Sequence, residues 1–425
     1  VAEIGYQADG GLLGWAALLG AVHETNPELQ WPQSLNVFDK MRREDPQVKS
    51  VLRAVTLPIM RTEWSIDGAG CRDEVTQFIA NSLGLPVKGQ ERVAPLRTKG
   101  RFSWKEHLRL ALLELVYGHS FFEQVYDQSN GDTRLAKLAW RPPRTISDIV
   151  VAEDGGLEAI KQYGKVGASD VKIPVDRLVA YVNEREGANW LGESLLRSAY
   201  KMWVLKDRVL RIQALTAERN GLGLPVFTAA APPEGATFEQ AVEWMDKEIA
   251  RGLAIAKAVR AGEAAGASLA QGSTLLFQGV VGDLPDTDKP IRYYDEQIAR
   301  AVLAHFLNLG TETGSWALGS TFANFFTDSL NGIAQHIEDV TNQHVIEDLV
   351  DFNWGPTEPA PRLVAAAIGE QQLVTAEAIK ALIESGAIEP DEPLEVFVRE
   401  KYGLPVKDST TTRARPIPAA KEAAA

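Results

Sequence analysis

Five residues near the C-terminal third, His336, Glu338, Asp339, His344 and Glu347, are the best candidates in this chain for metal chemistry. On a helix His336 and Asp339 share a face, as do His344 and Glu347, because positions three apart lie nearly one above the other. A histidine and a carboxylate side by side are donors for a catalytic divalent ion. A working site needs two such pairs to converge and leave one coordination position open. If they converge, the chain is a soluble metal-dependent hydrolase using the His336/His344 acidic helix. If they do not, the same residues form a solvated acidic helix with two ordinary histidines, and this is the reading favoured here. His119, which follows Gly118 at the entry to a strand, is expected to be hydrogen-bonded and partly buried. His305 is expected to pack or to meet another subunit.

Other catalytic signatures are missing. No G-x-x-x-x-G-K-[ST] loop occurs, so no P-loop is expected to cradle a nucleotide. Asn220-Gly221-Leu222-Gly223 follows a helix and not a strand, which removes the context of a dinucleotide fingerprint. There is neither a G-x-S-x-G elbow nor an H-E-x-x-H pair. The expectation is therefore no enzyme, no cofactor and no metal.

The elements that hold these residues follow from hydrophobic period. A helix is predicted from Val37 to about Leu57, interrupted at Pro46, then a strand over Arg61 to Ile66 and helices over Asp73 to Leu83 and Trp104 to Tyr117. The period then shortens. Strands are predicted at Ser120 to Tyr126, Leu135 to Trp140, Ile146 to Val151, Ala159 to Tyr163 and Leu178 to Val182, separated by turn formers such as Asn130-Gly131 and Gly155-Gly156. They suggest one antiparallel sheet with helices on one side.

From Ser194 a helix with no Pro or Gly runs to an Asn220-Gly221 stop. Strand–helix–strand follows, at Pro225 to Ala230, Thr237 to Ile255 and Ser273 to Val281. A helix over Lys289 to Asn308, a Gly-rich stretch and a helix from Thr321 to Phe352 come next. The last has Asp328, Glu338, Asp339, Glu347, Asp348 and Asp351 on its polar side and no Lys or Arg, so its carboxylates repel unless solvated or paired. Short helices are predicted over Thr375 to Glu384 and Pro393 to Tyr402.

Composition narrows the class. With 425 residues and 45% apolar content there is mass for two or three domains. A net charge of −13 argues against a protein that grips nucleic acid with a wholly basic surface, and neither excludes nor suggests a channel that lets DNA slide. Cys71 is the sole cysteine and is read as a semi-buried filler, so no internal disulfide or cysteine zinc cluster is possible. Gly11 to Val22 is apolar but far short of the ~20 residues that span a bilayer. No Lys or Arg precedes Lys40 to make a signal-peptide n-region. A packing arm is expected there, and no membrane segment.

The wording of the long helix resembles a known family. Gly192 onward reads G-x-S-L-x-R-x-A-Y-x-x-W-x-x-K-D, as in portal proteins of tailed phages, particularly the Mu-like portal family. A second matching stretch runs from Tyr294 to Gly319, followed by Ser320-Thr321-Phe322-Ala323. A third comprises Arg43-Glu44-Asp45-Pro46-Gln47-Val48, Leu57-Pro58-Ile59 and Trp64-Ser65-Ile66. The three occur in the family's order and span about Phe38 to Phe352.

The resemblance implies an α+β phage portal fold with an α+β wing, long stem helices, a strand–helix–strand clip, a tunnel loop and a small helical crown. In this numbering it implies an N-terminal arm over 1–36, the wing over 37–190, an outer stem helix over 191–222 and the clip over 223–288. An inner stem helix over 289–308, the tunnel loop over 309–320 and a long wing/tunnel helix over 321–354 follow, then the crown over 355–406 and a disordered tail over 407–425. The short, weakly helical C-terminal region and the Gly-flanked Trp316 depart from the family pattern.

It further implies a ring homo-oligomer of twelve subunits at one capsid vertex of the virion, assembled in the host cytoplasm. Double-stranded DNA would pass through it non-specifically during packaging and ejection. The implied partners are the terminase large subunit, a head–tail connector or adaptor, and the major capsid and scaffolding proteins. Thr311, Ser315, Trp316, Ala317 and Leu318 fall in the implied tunnel loop, where Trp316 either plugs its own core or lines the bore. Arg197, Lys201, Arg208 and Arg211 on the outer stem helix either pair with acids of a neighbouring subunit or face the bore.

Overall fold

The computed structural model describes residues 24–90, 102–128, 131–222, 224–258, 268–278, 286–302 and 316–369, with isolated positions between 383 and 399. The chain divides into two compact units, residues 1–368 and 369–425. In the second, the described residues include an Arg399–Glu395 pair at 2.9 Å. The remaining elements belong to the first.

Asp45 ends helix α1 (Gln33–Glu44) and starts α2 (Pro46–Arg61). Its carboxylate accepts from the backbone N–H groups of Gln47 and Val48 at 2.8 and 3.1 Å, and Pro46 stands where a helix has no N–H to lose. The apolar face Val48, Val51, Leu52, Val55 and Ile59 stays in helical period past Pro58, so α2 runs four residues beyond the prediction. Strand β1 is accordingly displaced to Trp64–Asp67. Helix α3 (Asp73–Leu83) matches its prediction and ends on Gly84 at φ +68°, a left-handed cap suited to glycine. The predicted helix over Trp104 to Tyr117 is two, α4 (Trp104–Ala111) and α5 (Glu114–Tyr117).

Gly118 closes α5 at φ +86°, and a Cβ there would lie 2.3 Å from the Leu191 carbonyl. That close approach brings the segment leading to the long helix against the start of the sheet.

Instead of one sheet there are two, both antiparallel and three-stranded. The first has order β3–β2–β7, from β2 (His119–Asp127), β3 (Arg134–Arg141) and β7 (Leu178–Val182). The second has order β4–β5–β6, from β4 (Ile146–Val151), β5 (Leu157–Gln162) and β6 (Val171–Pro174). Sequence patterning missed β6 because it is four residues long and ends in Pro174, too short a run to show a period.

Helix α6 (Leu196–Leu222) is a rod of about 40 Å. At its start the Ser194 hydroxyl accepts from Leu196 N–H at 3.1 Å and donates to the Val116 carbonyl. Next come β8 (Leu224–Thr228), α7 (Phe238–Ala258) and β9 (Thr274–Gln278), with β8 and β9 antiparallel. Helix α7 lies against this ribbon so closely at Gly252 that a Cβ would sit 1.9 Å from the Phe227 ring.

Thr237 and Gln240 form a reciprocal capping box, with Gln240 N–H to Thr237 Oγ1 at 3.3 Å and Thr237 N–H to Gln240 Oε1 at 3.1 Å. Thr237→Ala is expected to cost about 1 kcal/mol. Amide hydrogen exchange over α7 checks this: protection should fall about five-fold there and stay unchanged in α2.

Helix α8 (Asp288–Ala301) begins one residue before the predicted inner helix, whose last residues are outside the described residues. Helix α9 (Trp316–Thr341) begins earlier than predicted, so the expected loop over 309–320 is already helical from Trp316. A π-helical turn at Asn342–Ile346 separates α9 from α10 (Glu347–Trp354). The turn faces β10 (Arg362–Ala365), and Asn342 bonds both the N–H and the carbonyl of Leu363, at 2.7 and 3.2 Å. Strand β10 pairs with β1 (Ile66 opposite Leu363), which places β10 in the first compact unit beside the N-terminal helices. The helices predicted at 375–384 and 393–402 lie almost wholly outside the described residues, as do residues 1–23, His305 and the tail.

The main core joins α2, α3, α4, the β2 sheet, α9 and α10 through side chains such as Ile59, Ile79, Leu108, Phe122, Ile337 and Leu349.

Candidate functional site

The histidine–carboxylate helix does not form a metal site. His336 Nε2 meets Glu114 Oε2 at 3.2 Å, and Glu114 is entirely buried at the start of α5. Burial drives the Glu114 carboxyl above its usual range against the pull of His336, while the hydrogen bond to Glu114 raises His336 against its own burial. The backbone carbonyl of His344 accepts from Gln124 Nε2 at 2.5 Å, and the same amide reaches Asp348 at 3.1 Å. Glu338 accepts from Ala365 N–H at 2.5 Å. The acidic helix is therefore not simply solvated, since four of its groups dock neighbouring elements. Among the described residues no group of three or more His, Cys, Asp or Glu is placed to hold an ion. The metal-hydrolase alternative loses its site.

The other described histidines are held by the core. Burial lowers His107 to about 3, and its Nε2 sits 2.9 Å from the Tyr181 hydroxyl. Burial likewise lowers His119 to about 4, and its Nδ1 meets the Leu191 carbonyl at 3.0 Å, a buried role where a partly buried one was expected. Cys71 is half-buried, as expected.

The long helix carries the most organised charge. Lys206, buried at 8% side-chain exposure, reaches Asp45 Oδ2 at 2.9 Å and Asp295 Oδ1 at 2.6 Å. One ammonium thereby ties α6 to the α1–α2 corner and to α8. Burial opposes its charge, but the hydrogen bonds to Asp295 and Asp45 win and raise its pKa. Sequence patterning does not single out Lys206 from the other bases of this helix. The overlooked signal was Asp45 before a proline, a cap whose carboxylate keeps a free oxygen for a cation.

Arg197, Lys201, Arg208 and Arg211 fall within an arc of about 80° on α6 at 100° per residue, on the side away from Lys206. Val204, Ile212 and Leu215 are interleaved with them and are 41 to 52% exposed. Arg197 is taken by Glu24, with one bond at 3.0 Å, and Arg211 by Asp207 at 2.8 Å. Lys201 and Arg208 are exposed and have no ion partner among the described residues.

Of the residues proposed for the bore, Trp316, Ala317 and Leu318 stand on the first turn of α9, while Thr311 and Ser315 lie outside the described residues. No described helix is long and apolar enough to cross a membrane.

A family model described as the portal protein of Mu bacteriophage matches residues 35–404. The fold resembles a chain in the neck of an empty gene transfer agent (GTA) particle computed with C6 symmetry, with a TM-score of 0.53 at 12% identity. It also resembles chains in the virion of the native gene transfer agent particle (TM-score 0.52, 12% identity) and in the neck of the native particle computed with C12 symmetry (0.52, 11%). In all three, 88% of this chain and 94% of the other are covered.

Proposed function

The chain belongs to the Mu bacteriophage portal protein family, and from that premise we propose that it forms a twelve-subunit ring at one capsid vertex and conducts double-stranded DNA in packaging and ejection. The family match over residues 35–404 carries this reading, supported by the likeness to chains of symmetric particle necks. The role is structural. Helices α6 and α8, locked by Lys206, give each subunit a rigid stem, and the β8–α7–β9 clip docks the terminase large subunit and later the head–tail connector. The wing seats the ring among the major capsid and scaffolding proteins. Assembly takes place in the host cytoplasm.

A conduit must hold DNA sterically without trapping it. Phosphate neutralisation by many bases binds with steep salt dependence, which would stall movement. The turn carrying Trp316 and Leu318, repeated around the ring, offers a collar with which phosphates cannot pair, and Thr311 and Ser315 lie beside it in sequence. On α6, the pairing of Arg197 with Glu24 and Arg211 with Asp207 favours a face that meets a neighbouring subunit over one that offers bare cations to DNA.

The test is native mass spectrometry with negative-stain class averages. The expected result is a ring near twelve times 46.4 kDa with a central hole. A monomer or dimer at every concentration would overturn the reading.

A further inference from the structure

Helix α7 carries more apolar surface than its own ribbon covers. Gly252 is buried against Phe227 of β8, and Glu248 one turn earlier is buried as well. Centred about 60° around the helix from Gly252 and about 100° from Glu248, Phe238, Val242, Met245, Ile249 and Leu253 follow spacings of four, three, four and four, and each is 44 to 83% exposed. The stripe is about 22 Å long, roughly the contact length of one packed helix. Contiguous exposure of this kind marks an interaction site, unlike scattered single residues. Its border is acidic: Glu239 and Asp246 are exposed and have no ion partner among the described residues, while Glu243 is held by Lys247 at 2.7 Å.

The chain also presents a surface of matching chemistry. Near the end of α6, Ile212 and Leu215 are about half exposed and share a face with the unpaired Arg208. Helix α6 ends at Leu222 and β8 begins at Leu224, so this face adjoins the clip. In a cyclic ring, contacts are heterologous: two different faces of the same chain meet, and rotation about the axis keeps every element at its own height. The α7 stripe can therefore meet only neighbouring elements at the level of the clip, and the end of α6 lies at that level.

We propose that the α7 stripe is covered in the assembled ring by the clip end of α6 from the adjacent copy. Ile212 and Leu215 lie on the stripe, and Arg208 faces the acidic border at Glu239 and Asp246. The inference rests on the ring reading above and adds a specific seam to it. The clip's other surfaces then remain for docking, while this stripe is closed to connector proteins.

A disulfide test reads the seam directly. With the sole native cysteine removed (Cys71→Ser), Ile249→Cys and Leu215→Cys are introduced together and the assembled ring is oxidised. The expected result is a ladder of covalent oligomers on a non-reducing gel, absent with either cysteine alone. Asp246→Arg and Arg208→Asp should each weaken the subunit–subunit association constant about ten-fold, equivalent to 1.4 kcal/mol per seam, and the double swap should restore it. Because these positions are exposed, the circular dichroism and thermal unfolding of dissociated subunits should not change. Rings that form normally but give no ladder, with Ile249→Cys still open to a thiol reagent, would overturn the seam and leave the portal reading intact. A wild-type chain that makes no ring would overturn both.

Discussion

Lys206→Met should lower the unfolding free energy by about 3–5 kcal/mol, the largest effect expected of any single charge removal on α6. The wild-type ammonium is buried between Asp45 and Asp295, and both carboxylates lose their cation when it goes. Asp45 is itself buried and still caps α2 through Gln47 and Val48, so its charge cannot move to water without opening that helix start. The energy lost is therefore that of stranding charge, more than that of the pair itself. Lys201→Met, on the exposed face of the same helix, should change stability by less than about 0.5 kcal/mol.

Denaturant unfolding followed by tryptophan fluorescence decides the matter. A loss below about 1 kcal/mol for Lys206→Met would mean that the junction does not depend on the triad. The pH dependence has a definite sign. The folded pKa of Lys206 is raised above the ordinary 10.5, so its contribution is complete below that value and is lost only as pH climbs through the raised one. Stability attributable to this lysine should be flat across neutral pH.

Local signals made several elements legible in sequence, and contacts made others illegible. Helix α3 and strands β4 and β7 coincide with their predictions because caps, period and turn residues all agree within a few positions. Strand β10 exists because β1 offers it an edge and Asn342 holds Leu363, partners about 300 and 21 residues away, and no local pattern encodes that. The same holds for the π turn, which answers to β10 and not to its own residues.

At the candidate site, the shared face of Arg197, Lys201, Arg208 and Arg211 is readable from spacing alone. The burial of Lys206 is not, since it depends on Asp45 and Asp295 arriving from distant parts of the chain. His336 misled for a related reason. Its neighbours in sequence are acids, but its partner is Glu114, on another element.

That partner makes His336→Ala the second large perturbation, with an expected loss of about 3 kcal/mol near neutral pH. Glu114 Oε1 has no hydrogen-bond partner in the wild type, and removing the imidazole leaves Oε2 without His336 as well, in a site with no exposure. The carboxyl must then hold its proton or carry an unpaired buried charge. Replacing both residues, Glu114→Leu with His336→Leu, should return stability to within about 1 kcal/mol of wild type, because a well-packed apolar pair needs no desolvated charge.

The signs of the two titrations agree. Glu114 is raised above 4.5 by burial and His336 above 6.5 by its hydrogen bond to Glu114, so each binds its proton more tightly folded than unfolded. The share from Glu114 falls as pH rises from 4.5 through its folded value, and that from His336 falls above 6.5. Wild-type stability from this pair should therefore decline as pH rises above 4.5 and further above 6.5, and the slope should vanish in the double leucine variant. A wild-type slope that persists unchanged in that variant would place the titrating groups elsewhere. A double variant as unstable as His336→Ala would mean that shape, and not charge, is what the pair supplies to the core between α5 and α9.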